Sequence, residues 1–77
     1  AAAQWQIFAD WYHACLAHYG EGLGVRVGRK HIAGFIDGFL GAERGRASRS
    51  VICRMDEPQH VLAAMQQLYE TAHEEAA

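Results

Sequence analysis

Apolar residues recur along this chain every three or four positions, the spacing of one face of an α-helix. In the first segment Trp5, Phe8, Trp11, Tyr12, Cys15, Leu16 and Tyr19 share a side, while Gln6, Asp10, His13 and Ala17 fall opposite. The pattern predicts an amphipathic helix from Gln4 to Tyr19. The run Gly20-Glu21-Gly22-Leu23-Gly24 predicts its stop, because glycine adopts cap and turn conformations that other residues resist. A second helix is predicted from Val25 to Leu40. Its apolar side is Gly28, Ile32, Phe35, Ile36, Phe39 and Leu40, with Arg26, Arg29, Lys30, Ala33 and Asp37 opposite. Gly34, Gly38 and Gly41 form a third strip. Glycine costs about 1 kcal/mol against alanine in a helix, so this strip predicts the close approach of a neighbouring backbone.

The next stretch reads as a loop followed by a short helix from Arg46 to Arg54, with Ala47, Val51, Ile52 and Met55 apolar. Asp56 then predicts an N-cap, with Gln59 at the capping-box spacing and Pro58 in the first turn. Val61, Leu62, Met65, Leu68, Tyr69 and Ala72 make the inward stripe of the last helix, and the acidic end from His73 is expected to fray. No stretch alternates with the period of a strand. The expected fold is all-α, a small bundle of about four helices in one domain over residues 1–77.

Composition narrows the picture. A chain of 77 residues that is 51% apolar has the makings of a folded core. It is far short of the roughly 250 residues of a (β/α)₈ barrel. No apolar run reaches the roughly 20 residues of a membrane span. Cys15 and Cys53 lie far apart, outside any CxxC arrangement, and read as reduced small hydrophobes. That usage gives a cytoplasmic expectation. The start Ala-Ala-Ala-Gln, without methionine, hints at a processed product or a segment of a longer protein.

Charge changes the picture more. The formal net charge of −2 hides a strong asymmetry, because all seven lysines and arginines lie between Arg26 and Arg54. Only Asp37 and Glu43 offset them there, leaving +5, while residues 1–25 carry −2 and residues 55–77 carry −5. A basic middle between acidic ends is the footprint of a polyanion binder. The plainer alternative is that these cations solvate helix faces and pair with the acidic last helix. Arg26, Arg29 and Lys30 form a contiguous ridge. Arg44, Arg46 and Arg49 supply guanidinium forks that suit phosphate, and Ser48 and Ser50 supply hydroxyl donors.

Catalytic and metal chemistry finds little here. The five histidines, His13, His18, His31, His60 and His73, have no metal-ligand spacing. Cys15 and His18 stand three apart, but Cys15 is expected to point into the core, where a thiol is inert. No phosphate-cradling glycine motif occurs. His31 sits between the apolar side and the glycine strip, the place of a packed histidine.

The segment HYGEGLGVRVGRKHIAGFI, His18 to Ile36, resembles the opening of the C-terminal helical domain of bacterial tRNA-dihydrouridine synthases, above all the B-type enzymes once filed as nitrogen-regulation proteins. Tyr19-Gly20, Gly24, Arg26, Arg29, Lys30 and His31 stand in the places of that pattern. Downstream, the arginine-rich segment and the acidic-capped last helix are similar as well, so the likeness runs from about Trp5 to Glu70. Two departures stand out. Gly34-Phe35 replaces a Trp-Tyr pair, and an adjacent arginine pair is broken up, with Arg46 or Arg49 holding one member.

The resemblance implies a tRNA-gripping domain that follows a TIM barrel carrying FMN, a cysteine acid and NADPH-driven reduction of uridine. This chain would then hold no cofactor and catalyse nothing by itself. Its partners would be tRNA and its own upstream barrel, with no membrane and no DNA. Neither Cys15 nor Cys53 corresponds to the catalytic cysteine. Arg26, Arg29, Lys30, His31, Arg44, Arg46 and Arg49 become the expected tRNA-binding residues. Two other readings remain: a docking module without RNA contact, and a helix-turn-helix DNA binder. The second helix has no Asn or Gln for base reading, which weighs against the DNA binder.

Overall fold

The computed structural model describes residues 2–76, with side chains for residues 3–72. Four helices follow one another: α1 (Ala2–Tyr19), α2 (Glu21–Leu40), α3 (Ala42–Ile52) and α4 (Pro58–Ala76). The described residues contain no strand, and the protein is a small all-α bundle. Its radius of gyration is 11.8 Å, close to the roughly 11.5 Å that compact packing predicts for this length.

The core joins all four helices. Phe8 and Tyr12 come from α1, Ile32 and Ile36 from α2, Ile52 from α3, and Val61, Met65 and Tyr69 from α4. Phe8 stacks on Tyr12 at 5.4 Å and meets Phe35 edge-on at 5.2 Å, and Phe39 meets Tyr69 edge-on at 4.7 Å. These are the offset and perpendicular arrangements that ring quadrupoles favour. Tyr19, placed by its spacing on the inner stripe, is instead 45% exposed at the end of α1.

Single glycines make two of the three connections. Gly20 (φ 83°) separates α1 from α2, and Gly41 (φ 87°) separates α2 from α3. Each closes one helix and opens the next. The Gly20 N–H donates to Leu16 O at 2.8 Å while its carbonyl accepts from Gly24 at 2.7 Å. Gly41 does the same with Asp37 O at 2.8 Å and the Gly45 N–H at 2.9 Å. A positive φ with extended ψ is a conformation that glycine alone takes readily.

The expected stop at Gly20–Gly24 is therefore one residue long, and Gly22 and Gly24 lie inside α2. Gly24 is there for packing. A β-carbon on it would stand 3.0 Å from Leu16 Cδ2 and 3.1 Å from Leu16 Cα.

The loop expected before α3 is also absent. α3 begins at Ala42, four residues ahead of the predicted Arg46. Gly45 lies against α2, where a β-carbon would come within 2.9 Å of Ile36 Cγ2. The earlier start changes which residues face inward. Gly45 and Ile52 are buried, whereas Val51 is 61% exposed.

The close approach predicted at Gly34, Gly38 and Gly41 is not where the helices meet. Gly34 and Gly38 have no neighbouring atom of the described residues within 4 Å of where a β-carbon would be, and Gly41 is a connector. Gly24, Gly28 and Gly45 are the points of close contact instead.

The last connection holds another correction. α4 starts at Pro58, and the N–H groups of His60 and Val61 donate to Glu57 O at 3.0 and 3.1 Å. Glu57 thus takes the capping place expected of Asp56, whose carboxylate turns to Arg29. α4 is helical to Ala76, so the acidic end does not fray at His73; the side chains from His73 onward lie outside the described residues.

Candidate nucleic-acid interface

The basic residues group around the seam between α2 and α3. Helical spacing brings Arg26 and Lys30 one turn apart on the outer side of α2, and both are exposed. α3 packs alongside through Gly45 against Ile36, and through Cys53, whose thiol donates to Arg29 O at 3.7 Å. Arg46 lies one turn before Arg49 on the exposed side of α3, and Arg54 follows Cys53 at the far end of the seam. Arg54 was not among the expected contacts. Its signal in the sequence was its place at the edge of the basic window, next to the turn into α4.

Two of the expected contacts are turned inward. The Arg29 guanidinium donates to Asp56 at 3.0 Å, with side-chain exposures of 35% and 86%. It also approaches Met55 O at 3.5 Å, tying α2 to the turn before α4. Arg49 pairs with Asp37 of α2 and donates to Ala42 O at 3.0 Å. Both carboxylates occupy the forks that a phosphate would use. Arg44 is exposed and engages a neighbour within the molecule. It also lines a cleft with Ser48 and Thr71. Ser48 is half-buried in that cleft, while Ser50 is exposed.

His31 is exposed, yet its ring packs on Trp11 with centroids 5.1 Å apart. The side chains of Lys30, Arg26, Arg46 and Arg54 have no hydrogen-bond or carboxylate partner among the described residues. They form the open part of the basic surface.

The reactive groups are quiet. Cys15 is buried, and its thiol points to Gly24 O at 3.7 Å. The His18 ring lies edge-on against Tyr19 at 4.6 Å. Burial pushes the Cys53 thiol above its ordinary value, with Arg29 and Arg49 pulling part of the way back. A thiol held protonated is a poor nucleophile. No group of three or more metal-ligating side chains exists among the described residues. No helix among them is long and apolar enough to cross a membrane.

Against this geometry, comparison with known proteins brings no identification: no protein family, no curated protein and no solved structure matches the chain.

Proposed function

We propose that this chain is an RNA-binding helical module that grips the phosphate backbone of tRNA. The observation that carries the reading is the set of exposed basic side chains beside the α2–α3 seam. Arg26, Arg46 and Arg54 stand there, with Lys30 one turn beyond Arg26 on the outer side of α2, all without carboxylate partners among the described residues, in a chain that is otherwise acidic. Side chains of this kind read shape and phosphate rather than base edges, which suits a folded RNA. The resemblance to the helical domain of tRNA-dihydrouridine synthases supplies the RNA class. On that reading FMN and NADPH serve a barrel domain outside these residues, and no step of the reduction falls to them. Arg29 and Arg49 act mainly as internal staples, and His31 holds its place on Trp11.

Titration of labelled tRNA at several salt concentrations tests the reading. Four phosphate contacts give a slope of log K against log salt of roughly −3 to −4. The double substitution R26E/K30E should remove most of the binding. Binding that ignores salt, or is absent at millimolar protein, sinks the reading.

A further inference from the structure

α2 carries two pairs of glycines, each one helical turn apart. The first pair, Gly24 and Gly28, seats α1. A β-carbon at Gly24 would lie 3.0 Å from Leu16, and one at Gly28 would lie 3.2 Å from Tyr12. The second pair, Gly34 and Gly38, repeats the spacing ten residues further along the same helix, yet a β-carbon at either would meet no atom of the described residues within 4 Å. This second pair floors a cleft of about 530 Å³ lined by residues of α1, α2 and α4.

The lining has a definite chemistry. Ile7 of α1 forms part of one wall and is 62% exposed, a large apolar side chain left facing water. Phe35, Phe39 and Tyr69 line it too, and each is at least partly buried. Lys30 and His31 stand at one end, and no carboxylate lines the cleft among the described residues. The Lys30 ammonium has no partner among the described residues. From Lys30 to Phe39 the cleft follows α2 for about 14 Å at 1.5 Å per residue, two to three turns of a second helix.

We propose that this cleft receives an amphipathic, acidic helix from a protein partner. Its apolar stripe lies on Gly34 and Gly38 against Ile7, and a carboxylate on its flank meets Lys30. Two observations select a helix with that charge. The same glycine spacing already seats a helix at Gly24 and Gly28, and among the described residues the Lys30 ammonium in the cleft meets no carboxylate. The proposal does not rest on RNA binding, since the floor of the cleft is neutral, but it shares Lys30 with the phosphate surface, so acidic peptide and tRNA should compete there while Gly38 separates the two sites.

The test uses the full chain, isotope-labelled, and two synthetic peptides of about fifteen residues. Both carry leucines at i, i+3, i+4 and i+7, the face a groove reads. One has glutamates flanking that stripe and the other has lysines. The acidic peptide should shift the Gly34 and Gly38 amide resonances and gain helical circular dichroism. It should also bind at least about tenfold more tightly than the basic one. K30E should erase that preference. Gly38→Leu should abolish peptide binding while leaving salt-dependent tRNA binding intact, because it fills the cleft without altering charge. Gly38 lies inside α2 and a β-carbon there meets no described atom within 4 Å, so the fold of the variant is checked by an unchanged or raised thermal midpoint.

Equal affinity for the two peptides, no amide shift at millimolar peptide, or binding untouched by Gly38→Leu would overturn the proposal. So would decanoate shifting the two amides where the acidic peptide does not, which assigns the cleft to a small amphiphile. Sedimentation of the chain as a dimer that Gly38→Leu converts to monomer would assign it to a second copy.

Discussion

The hydroxyl of Tyr12 is buried and finds no hydrogen-bond partner among the described residues, and Arg29 Nε shares that condition. A polar atom in that state costs its full desolvation. Tyr12→Phe keeps the ring stacked on Phe8 and removes the orphaned oxygen. It should raise stability by roughly 1 kcal/mol in urea titration; a clear loss would mean that the hydroxyl is bonded after all. The same burial pushes the Tyr12 and Tyr69 phenols above 10.0 and the Cys53 thiol above 9.0. In all three the folded chain holds the proton more tightly than the unfolded one. Stability from this source is whole below the unfolded values and falls as pH rises through them. The thermal midpoint should therefore drop steadily from about pH 9 upward, and a flat profile to pH 11 would contradict it. The sequence could show that Tyr12 faces inward, since periodicity fixes the face. It could not show whether its oxygen finds a donor, because that depends on which atom of another helix arrives beside it.

At the scale of the element, glycine has three separate roles that a sequence does not distinguish by itself. Gly20 and Gly41 hold positive φ, Gly24 and Gly45 admit a neighbouring helix, and Gly34 and Gly38 face open space. Alanine substitution separates them. At Gly20 and Gly41 backbone strain should cost about 1–3 kcal/mol. At Gly24 and Gly45 overpacking should cost a similar 1–3 kcal/mol. At Gly34 and Gly38 nothing is lost and helix propensity gains about 1 kcal/mol each. Thermal melts of the six variants check the order, and stabilisation by Gly45→Ala would refute the packing. α1 and α4 were legible because long apolar stripes dominate them. α3 was misplaced because its inner face is Gly45, Arg49 and Ile52, with too few apolar side chains to declare a period. The missing signal was there in another form: Gly20-x-x-x-Gly24 and Gly41-x-x-x-Gly45 are the same helix corner used twice.

Across the whole molecule, the charge map was legible as a total and not as a surface. Counting residues gave a basic window, but only the packing shows that Asp56 and Asp37 draw two guanidinium forks inward. The Arg29–Asp56 pair, with its carboxylate 86% exposed, contributes little stability, about 0–1 kcal/mol. Asp56→Asn should thus cost under about 1 kcal/mol. It should also free Arg29 for phosphate, strengthening tRNA binding at low salt and steepening the salt slope by somewhat less than one unit. Unchanged binding would show that Arg29 lies off the RNA path.

The twin glycine corners also bear on how the chain reaches this shape. A one-residue connection brings α1 to α2, and α2 to α3, with almost no loop to close, so those pairings form between segments adjacent in the chain. Helical domains dominated by such local pairings fold in microseconds to milliseconds. α4 arrives over the longer turn at residues 53–57 and supplies Val61, Met65 and Tyr69 to the core; it should close last, and φ-values at those three residues should then lie near zero while those at Phe8 and Ile32 are higher.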